Sequence, residues 1–507
     1  MKSMVGLSLV VLQECGELVG ISTTRDEEYL RSRVGAEGLS FLTITLPSFD
    51  KALLNALDRG RWEHNSLLRL KSQRGTERPR FLGAFVALIF GPCGALRTDN
   101  REQHPVVIRL LRQFLLLHSK VELPCTEQRV RAAIQGYVET DKTVPIGDRP
   151  ELHYLADRLF SRQLSMVESA LFKGDLPGRF SSGSLATRER YNSRYATRCY
   201  TERLNAVLPH WDYYDVSPRH TYDEEITMVD RDGEIPCRVT TVPKTMKTPR
   251  IIAMEPVWNN YIQQTILQGL ERFIAHDPAL RAMNWFDQER NRSLAKEGSI
   301  TGAFCTIDLS EASDRVSTSL VTDVLLGRHK FLRDAVLACR SERAELPDGT
   351  IVTLNKFASM GSALTFPFES MVFYLLVCHV FLEVRGHLPC YNTRCALPCQ
   401  ASVYGDDIIV PVDMMSSVTS TLEAYGLKVN SAKSFGTGMF RESCGADWYD
   451  GGPVSPVRCR AQLPGSTHRD PELVSRGMEL QNRLFLAGFY RAASFVSNLV
   501  KEARRDV

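Results

Sequence analysis

The chain has 507 residues, a length that exceeds one typical domain and predicts more than one core-bearing lobe. Hydrophobic residues make up 43% and charged residues 24% of the chain, which excludes a disordered protein and indicates a globular one. A total of 62 basic against 59 acidic residues gives a net charge of +3, so any affinity for nucleic acid must come from local clusters.

The 13 cysteines are odd in number and scattered, which favours reduced thiols in a cytosolic compartment over a disulfide framework. No secretory signal is predicted, because the N-terminal apolar run lacks a small-residue cleavage site. The apolar stretches 81–96 and 370–384 are predicted to be buried helices and not membrane spans. The first is too short to span and contains three glycines and a proline, and the second contains His379 and Glu383.

The N-terminal part is predicted to be mainly helical, with amphipathic runs such as 105–123, which begins with a proline suited to a first helical turn. The Gly- and Ser-rich segment 173–192 is predicted to be a loop.

An arginine-rich segment, 188–203, follows that loop. Its Arg190, Arg194 and Arg198 recur every four residues, so a helix would place them on one face beside Tyr191 and Tyr195. Arginine and tyrosine together suit phosphates and stacked bases, which makes this face a candidate RNA-binding surface. A solvated basic helix is the alternative that the same pattern supports.

Two segments alternate around Asp-Gly turns and are predicted to be hairpins. The first covers 225–244 and turns after Asp232, and the second covers 344–357 and turns after Asp348. Lys244, at the end of the first, begins a set of cations.

Lys244, Lys247 and Arg250 are spaced three residues apart, an arrangement suited to a triphosphate clamp. The alternative is an exposed lysine-rich edge that discourages strand pairing.

Two buried strands are predicted to carry acidic residues at their ends. Asp308 ends "AFCTID", and Asp406 and Asp407 stand inside "VYGDDIIV". Successive side chains of a strand point to opposite faces, so Asp406 and Asp407 approach one point only if Gly405 allows a sharp turn.

Gathering these carboxylates is unfavourable, since two like charges about 4 Å apart repel by about 4 kcal/mol at an effective dielectric near 20. Bound divalent cations relieve the repulsion, and Mg²⁺ leaves room for substrate phosphates. The mixed order of strands and helices after Thr301 predicts an α+β fold with an antiparallel sheet backed by helices.

The chain resembles the RNA-dependent RNA polymerases, and among them the replicase catalytic subunits of small single-stranded RNA bacteriophages (leviviruses). The resemblance covers 241–452 and rests on six segments in that family's order. These are "TVPKTMKTPRIIAMEP" (241–256), "DQERNRSLAKEGS" (287–299), "TIDLSEASDRVS" (306–317), "SMGSALTFPFES" (359–370), "YGDD" (404–407) and "FRESCGADW" (440–448).

The resemblance implies a right-hand fold of fingers, palm and thumb. The expected divisions are a mainly helical N-terminal fingers region (1–225), a fingers hairpin and nucleotide-clamp segment (226–293), a palm (294–450) with a hairpin insert (341–357), and a short thumb (451–507).

The resemblance also implies a two-metal site in which Asp308, Asp406 and Asp407 bind two Mg²⁺ ions, for which Mn²⁺ can substitute. Lys433 would donate a proton to pyrophosphate, although a solvent-exposed lysine explains it equally well.

For the incoming nucleotide, the resemblance implies contacts from three groups of residues. These are the cations Lys244, Lys247 and Arg250, the sugar-facing Ser313 and Asp314, and the loop residues Ser359, Gly361 and Ser362. Which of Ser313 and Asp314 faces the ribose stays open, and an ordinary helix N-cap at Ser362 is an alternative for that loop.

The implied function is template-directed RNA synthesis from nucleoside triphosphates on an RNA template, in the cytoplasm of a bacterial host. RNA template and product are implied partners, together with host translation elongation factors Tu and Ts and a ribosomal protein, and no membrane. Reverse transcription and non-catalytic RNA binding or packaging are the alternatives, and polar residues at 313 and 314 disfavour the former.

One cluster lies outside this scheme. His387, Cys390, Cys395 and Cys399 have spacings near those of zinc ligands, and a plain loop between helix and strand is the favoured interpretation.

Overall fold

The structure is a computed structural model that describes residues 2–63, 71–189, 191–214, 226–390, 399–463 and 471–505. The α-helices are numbered here in chain order. They are α1 (Lys2–Leu18), α2 (Thr24–Glu37), α3 (Leu46–Arg59), α4 (Gly83–Ile89), α5 (His104–Leu116), α6 (Glu127–Lys142), α7 (Pro150–Phe172), α8 (Glu202–Asn205), α9 (His210–Tyr213), α10 (Val257–Phe273), α11 (Glu289–Thr301), α12 (Lys330–Ala338), α13 (Thr365–Arg385), α14 (Met415–Ala424), α15 (Pro471–Leu486) and α16 (Tyr490–Arg505).

The strands form four small sheets. They are β1 (Cys199–Thr201), β2 (Thr227–Val229), β3 (Cys237–Val242), β4 (Arg250–Met254), β5 (Phe304–Ile307), β6 (Arg343–Glu345), β7 (Ile351–Thr353), β8 (Ser402–Tyr404), β9 (Asp407–Pro411), β10 (Phe440–Ser443), β11 (Ala446–Tyr449) and β12 (Gly452–Pro453). Their orders are β1-β2, β4-β3-β6-β7, β5-β9-β8 and β10-β11-β12.

The sheet β5-β9-β8 is fully antiparallel, with Phe304 opposite Pro411 and Ile307 opposite Ile408. Its strands are rich in β-branched residues and buried, as a sheet covered on both faces requires. The α+β fold with an antiparallel sheet backed by helices, predicted from the sequence, is confirmed.

Two large hydrophobic cores hold the described part of the chain together. One unites residues between 152 and 427, including the central sheet and α13. The other joins residues 4–123 to residues 435–500, so the N-terminal helices and the C-terminal helices α15 and α16 share one core. The boundaries at 225, 293 and 450 stay predictions.

The hairpin predicted around Asp348 is confirmed, because β6 and β7 pair antiparallel across that turn. The hairpin predicted over 225–244 is wrong. Its two strands do not pair with each other, since β2 pairs parallel with β1 and β3 pairs antiparallel with β4. The turn itself exists, and Gly233 N donates to Asp230 Oδ1 at 2.7 Å.

The apolar stretch 370–384 lies inside α13, as predicted. This helix is long and apolar enough to cross a membrane by length and composition, but 78% of its most apolar window is buried within the protein. The stretch 81–96 contains only the short α4, with an irregular continuation. The amphipathic run 105–123 forms α5 over most of its length.

The helix predicted over 188–203 is wrong, because that segment forms a 3₁₀ helix (Tyr191–Ala196) and then β1. Arg194 is 8% exposed, and its guanidinium donates to the backbone carbonyls of Ser181 and Gly183. The Arg194 guanidinium therefore supports a loop, and its role in RNA binding stays a prediction.

Of the other residues in the predicted RNA-binding face, the structure describes the side chains of two, and both reach the surface. Tyr195 is half exposed and packs edge-on against Phe180 with ring centroids 4.9 Å apart, and Arg198 is exposed. Arg190 and the side chain of Tyr191 lie outside the described residues.

The cysteines match the sequence prediction with one exception. Ten described cysteines are free thiols, whereas Cys390 and Cys399 are joined in a disulfide. Those two are therefore not available as zinc ligands in this structure, and Cys395 lies outside the described residues.

Candidate active site

The three aspartates lie at one end of the central sheet. Asp308 directly follows β5, whose last residue pairs with Ile408, and Asp407 begins β9 opposite Tyr404. An antiparallel register therefore places Asp308 beside Asp407, across neighbouring strands. The two strand ends meet as the sequence predicted.

Gly405 makes the turn between β8 and β9. Its φ of +57° lies in the left-handed region, and an added Cβ would stand 2.5 Å from the Phe366 ring. The turn carries Asp406 at its exposed tip. Both conformation and space therefore demand glycine here.

The carboxylates repel one another, and burial adds to the effect. Desolvation, and then the charge of Asp308, raise the pKa of Asp406. Desolvation, and then the charge of Asp406, raise the pKa of Asp407 to about 6. The site therefore holds an excess of negative charge that a cation would neutralise.

Asp308 and Asp407 are each oriented by hydrogen bonds. Asn430 Nδ2 donates to Asp308 Oδ2 at 2.7 Å, and Lys433 Nζ lies 3.4 Å from Asp308 Oδ1. The backbone N of Cys444 donates to Asp407 Oδ2 at 3.1 Å. Asn430 was not predicted, because its partner Asp308 lies 122 residues away in sequence.

A group of cations faces the acidic end. Burial, Arg250 and Lys433 lower the pKa of Lys244, against the carboxylates of Asp308 and Asp406, which raise it. Lys244 therefore lies within electrostatic range of both aspartates, as a triphosphate clamp requires.

Lys247 belongs to the same group, together with Lys51, a residue of α3 that the sequence did not reveal. Burial, Lys247 and Lys433 lower the pKa of Lys51. The mutual repulsion of these cations favours an anionic ligand among them.

Met246 anchors the loop that carries Lys244 and Lys247 to the N-terminal core. The Met246 sulfur accepts a hydrogen bond from Thr43 Oγ1 at 3.1 Å, and its carbonyl accepts one from Arg129 Nη1 at 2.7 Å. Because Met246 packs against the N-terminal core, the lysines on either side of it stay at the surface.

Lys433 is surrounded by carboxylates. Desolvation lowers the pKa of its ammonium, but Asp308, Glu442 and Asp406 together outweigh this effect and raise it. Lys433 is therefore held protonated beside Asp308.

The predicted sugar-recognition loop, 359–362, is held against β4 by its backbone. Ala253 N donates to Met360 O at 2.9 Å. Ser362 Oγ donates to Gln263 Oε1 at 3.0 Å, so the Ser362 hydroxyl is used within the protein. It also accepts from Leu364 N at 3.3 Å, but the N-cap of α13 is Leu364, so the alternative of a helix N-cap at Ser362 is wrong.

Gly361 permits that close approach, since its φ is +137° and an added Cβ would stand 1.9 Å from Ala253 O. We expect Gly361→Ala to displace the loop and lower nucleotide incorporation roughly 10²-fold, because small misplacements of binding groups carry penalties of that order. Single-turnover incorporation assays on a primed RNA template measure this effect.

Gly349→Ala is the matched control, because Gly349 also has a positive φ (+85°) but nothing lies within 4 Å of an added Cβ. It is expected to retain incorporation. Equal activities of the two variants would contradict the role given to Gly361.

The other predicted sugar contacts, Ser313 and Asp314, lie in the 3₁₀ helix Ala312–Arg315. Both are half-buried. Asp314 Oδ1 is 2.9 Å from Nζ of Lys356, a fully buried lysine.

A further acidic residue, which was not predicted, lies near Asp406 and Asp314. Glu369 of α13 is buried, and its Oε2 has no hydrogen-bond partner among the described residues. Burial, Asp406 and Asp314 raise the pKa of Glu369 well above its usual range. A glutamate one turn into an apolar helix was the available sequence signal.

The described residues contain no group of three His, Cys, Asp or Glu side chains that by itself could hold a metal ion. The aspartates fit a hard divalent cation in their chemistry, as oxygen donors with uncompensated charge. Any such ion would complete its coordination with other oxygens, such as those of water or phosphate.

Carboxylates thus meet at two adjacent strand ends of an antiparallel sheet that is faced by lysines, an arrangement suited to binding hard cations and phosphates. The chain's family follows from comparison with known proteins. Residues 134–468 match the family "RNA replicase, beta-chain", and the chain belongs to that family.

Individual relatives agree with this assignment. The RNA-directed RNA polymerase subunit beta of Escherichia virus Qbeta is 35% identical over 344 residues, 62% of this chain and 52% of that protein. The corresponding subunit of Qbeta virus (strain MX1) is 38% identical over 228 residues, 45% of this chain and 36% of that protein. The RNA-directed RNA polymerase beta chain of Escherichia phage MS2 is 36% identical over 218 residues, 43% of this chain and 36% of that protein. The chain thus matches about half or less of each relative's length.

Proposed function

We propose that the chain synthesises RNA on an RNA template from nucleoside triphosphates, as the catalytic subunit of a viral replicase. The observation that carries the proposal is the meeting of Asp308, Asp406 and Asp407 at one sheet end, in mutual repulsion, within a chain of the replicase family. The nascent strand's 3′-hydroxyl would attack the α-phosphate of a nucleotide and release pyrophosphate.

The three aspartates would hold two Mg²⁺ ions, for which Mn²⁺ can substitute. Bound there, the ions would stabilise the attacking and leaving oxygens of the phosphoryl transfer. The raised pKa values of Asp406 and Asp407 support this proposal, because desolvation and the neighbouring carboxylates disfavour their charged forms and a bound cation would offset both effects.

The cations beside the aspartates would bind the triphosphate. Lys244, Lys247 and Arg250 are exposed, and Lys51 adds a fourth cation. Besides burial, the charge of Arg250 lowers the pKa of Lys244, and the charge of Lys247 lowers the pKa of Lys51. On the sugar side, Asp314, Ser313 and the loop 359–362 would contact the ribose.

Lys433 would donate a proton to the leaving pyrophosphate. We expect Lys433→Met to lower single-turnover incorporation roughly 10²-fold, the order typical of a general acid, with a smaller change in nucleotide affinity. Rapid-quench measurements over a range of nucleotide concentrations separate the two effects.

Lys428→Met is the matched control, because Lys428 is an exposed lysine of the same segment that contacts the strand-end region through its backbone, where its carbonyl accepts a hydrogen bond from Ser310 N. It is expected to match the wild type. A Lys433→Met variant that turns over at the wild-type rate would remove Lys433 from the mechanism.

The wider assignments follow from the same family. Fingers would comprise 1–293, the palm 294–450 and the thumb 451–507, with the exposed Arg198 and Tyr195 near the RNA path. Relatives are named as beta subunits or chains, so the protein would work in a complex, with host elongation factors Tu and Ts and a ribosomal protein as partners. Its location would be the cytoplasm of a bacterial host.

Incubation of the purified chain with a primed RNA template, Mg²⁺ and either labelled ribonucleotides or labelled deoxyribonucleotides, in parallel reactions with and without host extract, tests the proposal. Template-dependent RNA products are the expected result. Products from deoxyribonucleotides alone would indicate a reverse transcriptase, and RNA binding without any synthesis under either condition would indicate a non-catalytic protein. Either result would overturn the proposal.

A further inference from the structure

A buried lysine lies directly behind the predicted sugar-recognition residues. Lys356 is 0% exposed, and its ammonium lies 2.9 Å from Asp314 Oδ1. The same ammonium stands 3.3 Å from the centre of the Tyr137 ring. A buried lysine without a counter-charge is strongly disfavoured, so its place beside Asp314 is a specific one.

The backbone around Lys356 is held rigidly. The carboxylate of Asp141, at the end of α6, accepts hydrogen bonds from the backbone N of Asn355 and of Lys356 at 3.0–3.1 Å. Arg340 donates to the carbonyl of Lys356 at 2.6 Å. The ammonium therefore has little freedom to move away from Asp314.

Tyr137 connects this lysine to the second sugar-recognition element. Its hydroxyl is 2.8 Å from Ser359 Oγ, while its ring covers the Lys356 ammonium. Tyr137 of α6 thus contacts both the lysine that pairs with Asp314 and the side chain of Ser359, the first residue of the predicted sugar-recognition loop.

We propose that Lys356 is a positioning residue for sugar selection, which fixes the Asp314 carboxylate so that its other oxygen can accept a hydrogen bond from the ribose 2′-hydroxyl. Asp314 Oδ2 has no hydrogen-bond partner among the described residues, and the side chain is 20% exposed. The inference rests on the proposed function, and it adds a residue with no contact to substrate.

A double-mutant cycle tests it. Lys356→Met and Asp314→Asn, alone and combined, are compared in the ratio of kcat/KM for ribo- and deoxyribonucleotide incorporation. We expect each single variant to lower this ratio roughly 10-fold, the size typical of one charge-assisted hydrogen bond, and the combined variant to lower it no further than Asp314→Asn alone. The combined variant carries no unpaired buried charge, so it guards against a folding defect. Lys142→Met, an exposed lysine of α6, is the matched control.

The affinities of ATP and 2′-deoxyATP for each variant, measured by calorimetry, give a readout that does not need turnover. If the wild type prefers ATP but makes no RNA, the proposed function fails, whereas the affinity ratio still decides the role of Lys356. Unchanged discrimination in Lys356→Met, or multiplying effects in the combined variant, would overturn the inference.

Discussion

Asp308→Asn and Asp406→Asn are each expected to lower nucleotide incorporation at least ~10³-fold. Each substitution preserves volume but removes one of the charges that would hold the metal ions, and such charge stabilisation supplies a large share of the barrier reduction in phosphoryl transfer. Rapid-quench incorporation of a single ribonucleotide, at saturating Mg²⁺, measures the loss.

The Asp406→Asn variant is expected to lose activity without losing thermal stability. Asp406 lies at the exposed tip of the turn, where its carboxylate is repelled by Asp308, so removing its charge relieves repulsion. The melting temperature of Asp406→Asn is therefore expected to equal or exceed that of the wild type.

Asp413→Asn is a suitable control, since Asp413 follows the same strand β9 and its side chain, which pairs with Arg385, is 68% exposed. It is expected to keep wild-type incorporation. Activity near the wild-type level in either Asp308→Asn or Asp406→Asn would exclude the aspartates from the catalytic site.

The acidic end of the sheet could be predicted because its signal is local. A β-branched strand, a glycine and two aspartates specify both the turn and its charges, and the pairing of β5 with β9 follows from their matching burial. The turn at Asp348 is equally local, since its strands adjoin it in sequence.

The failed predictions depend on partners far away in sequence. The turn after Asp232 was predicted correctly, but the pairing of its flanking strands was not. β3 pairs along five residues with β4, and β2 pairs with β1. The spacing of Arg194 and Arg198 suits a helix, yet the Arg194 guanidinium satisfies carbonyls of a loop instead. Pattern alone cannot choose between such partners.

The supporting residues of the site were hidden for the same reason. Asn430 and Lys356 each contact a predicted aspartate across long sequence separations. Lys51, in the N-terminal part of the chain, lies within electrostatic range of Lys433. Each is an ordinary polar residue in sequence, and only the fold gives it a partner.

A buried ion triad joins the N-terminal lobe to the sheet β10-β11-β12. The Arg112 guanidinium of α5 donates to Asp50 Oδ1 at 3.1 Å and lies 2.9 Å from Asp447 Oδ2. All three side chains are at most 5% exposed. Asp50 immediately precedes Lys51, so the triad also fixes the part of α3 that faces the site.

Arg112→Met is expected to lower the free energy of unfolding by about 3–5 kcal/mol, because it leaves Asp50 and Asp447 buried without the guanidinium that pairs with both. Urea unfolding followed by circular dichroism measures the change. Adding Asp50→Asn and Asp447→Asn should restore part of the stability, since the three neutral side chains leave no unpaired buried charge.

Arg131→Met is the matched control, because Arg131 forms an exposed ion pair with Glu127. It should change the free energy of unfolding by less than about 0.5 kcal/mol. If Arg112→Met unfolds at the same urea concentration as Arg131→Met, the triad does not join the two parts of the protein, and Lys51 owes its position to other contacts.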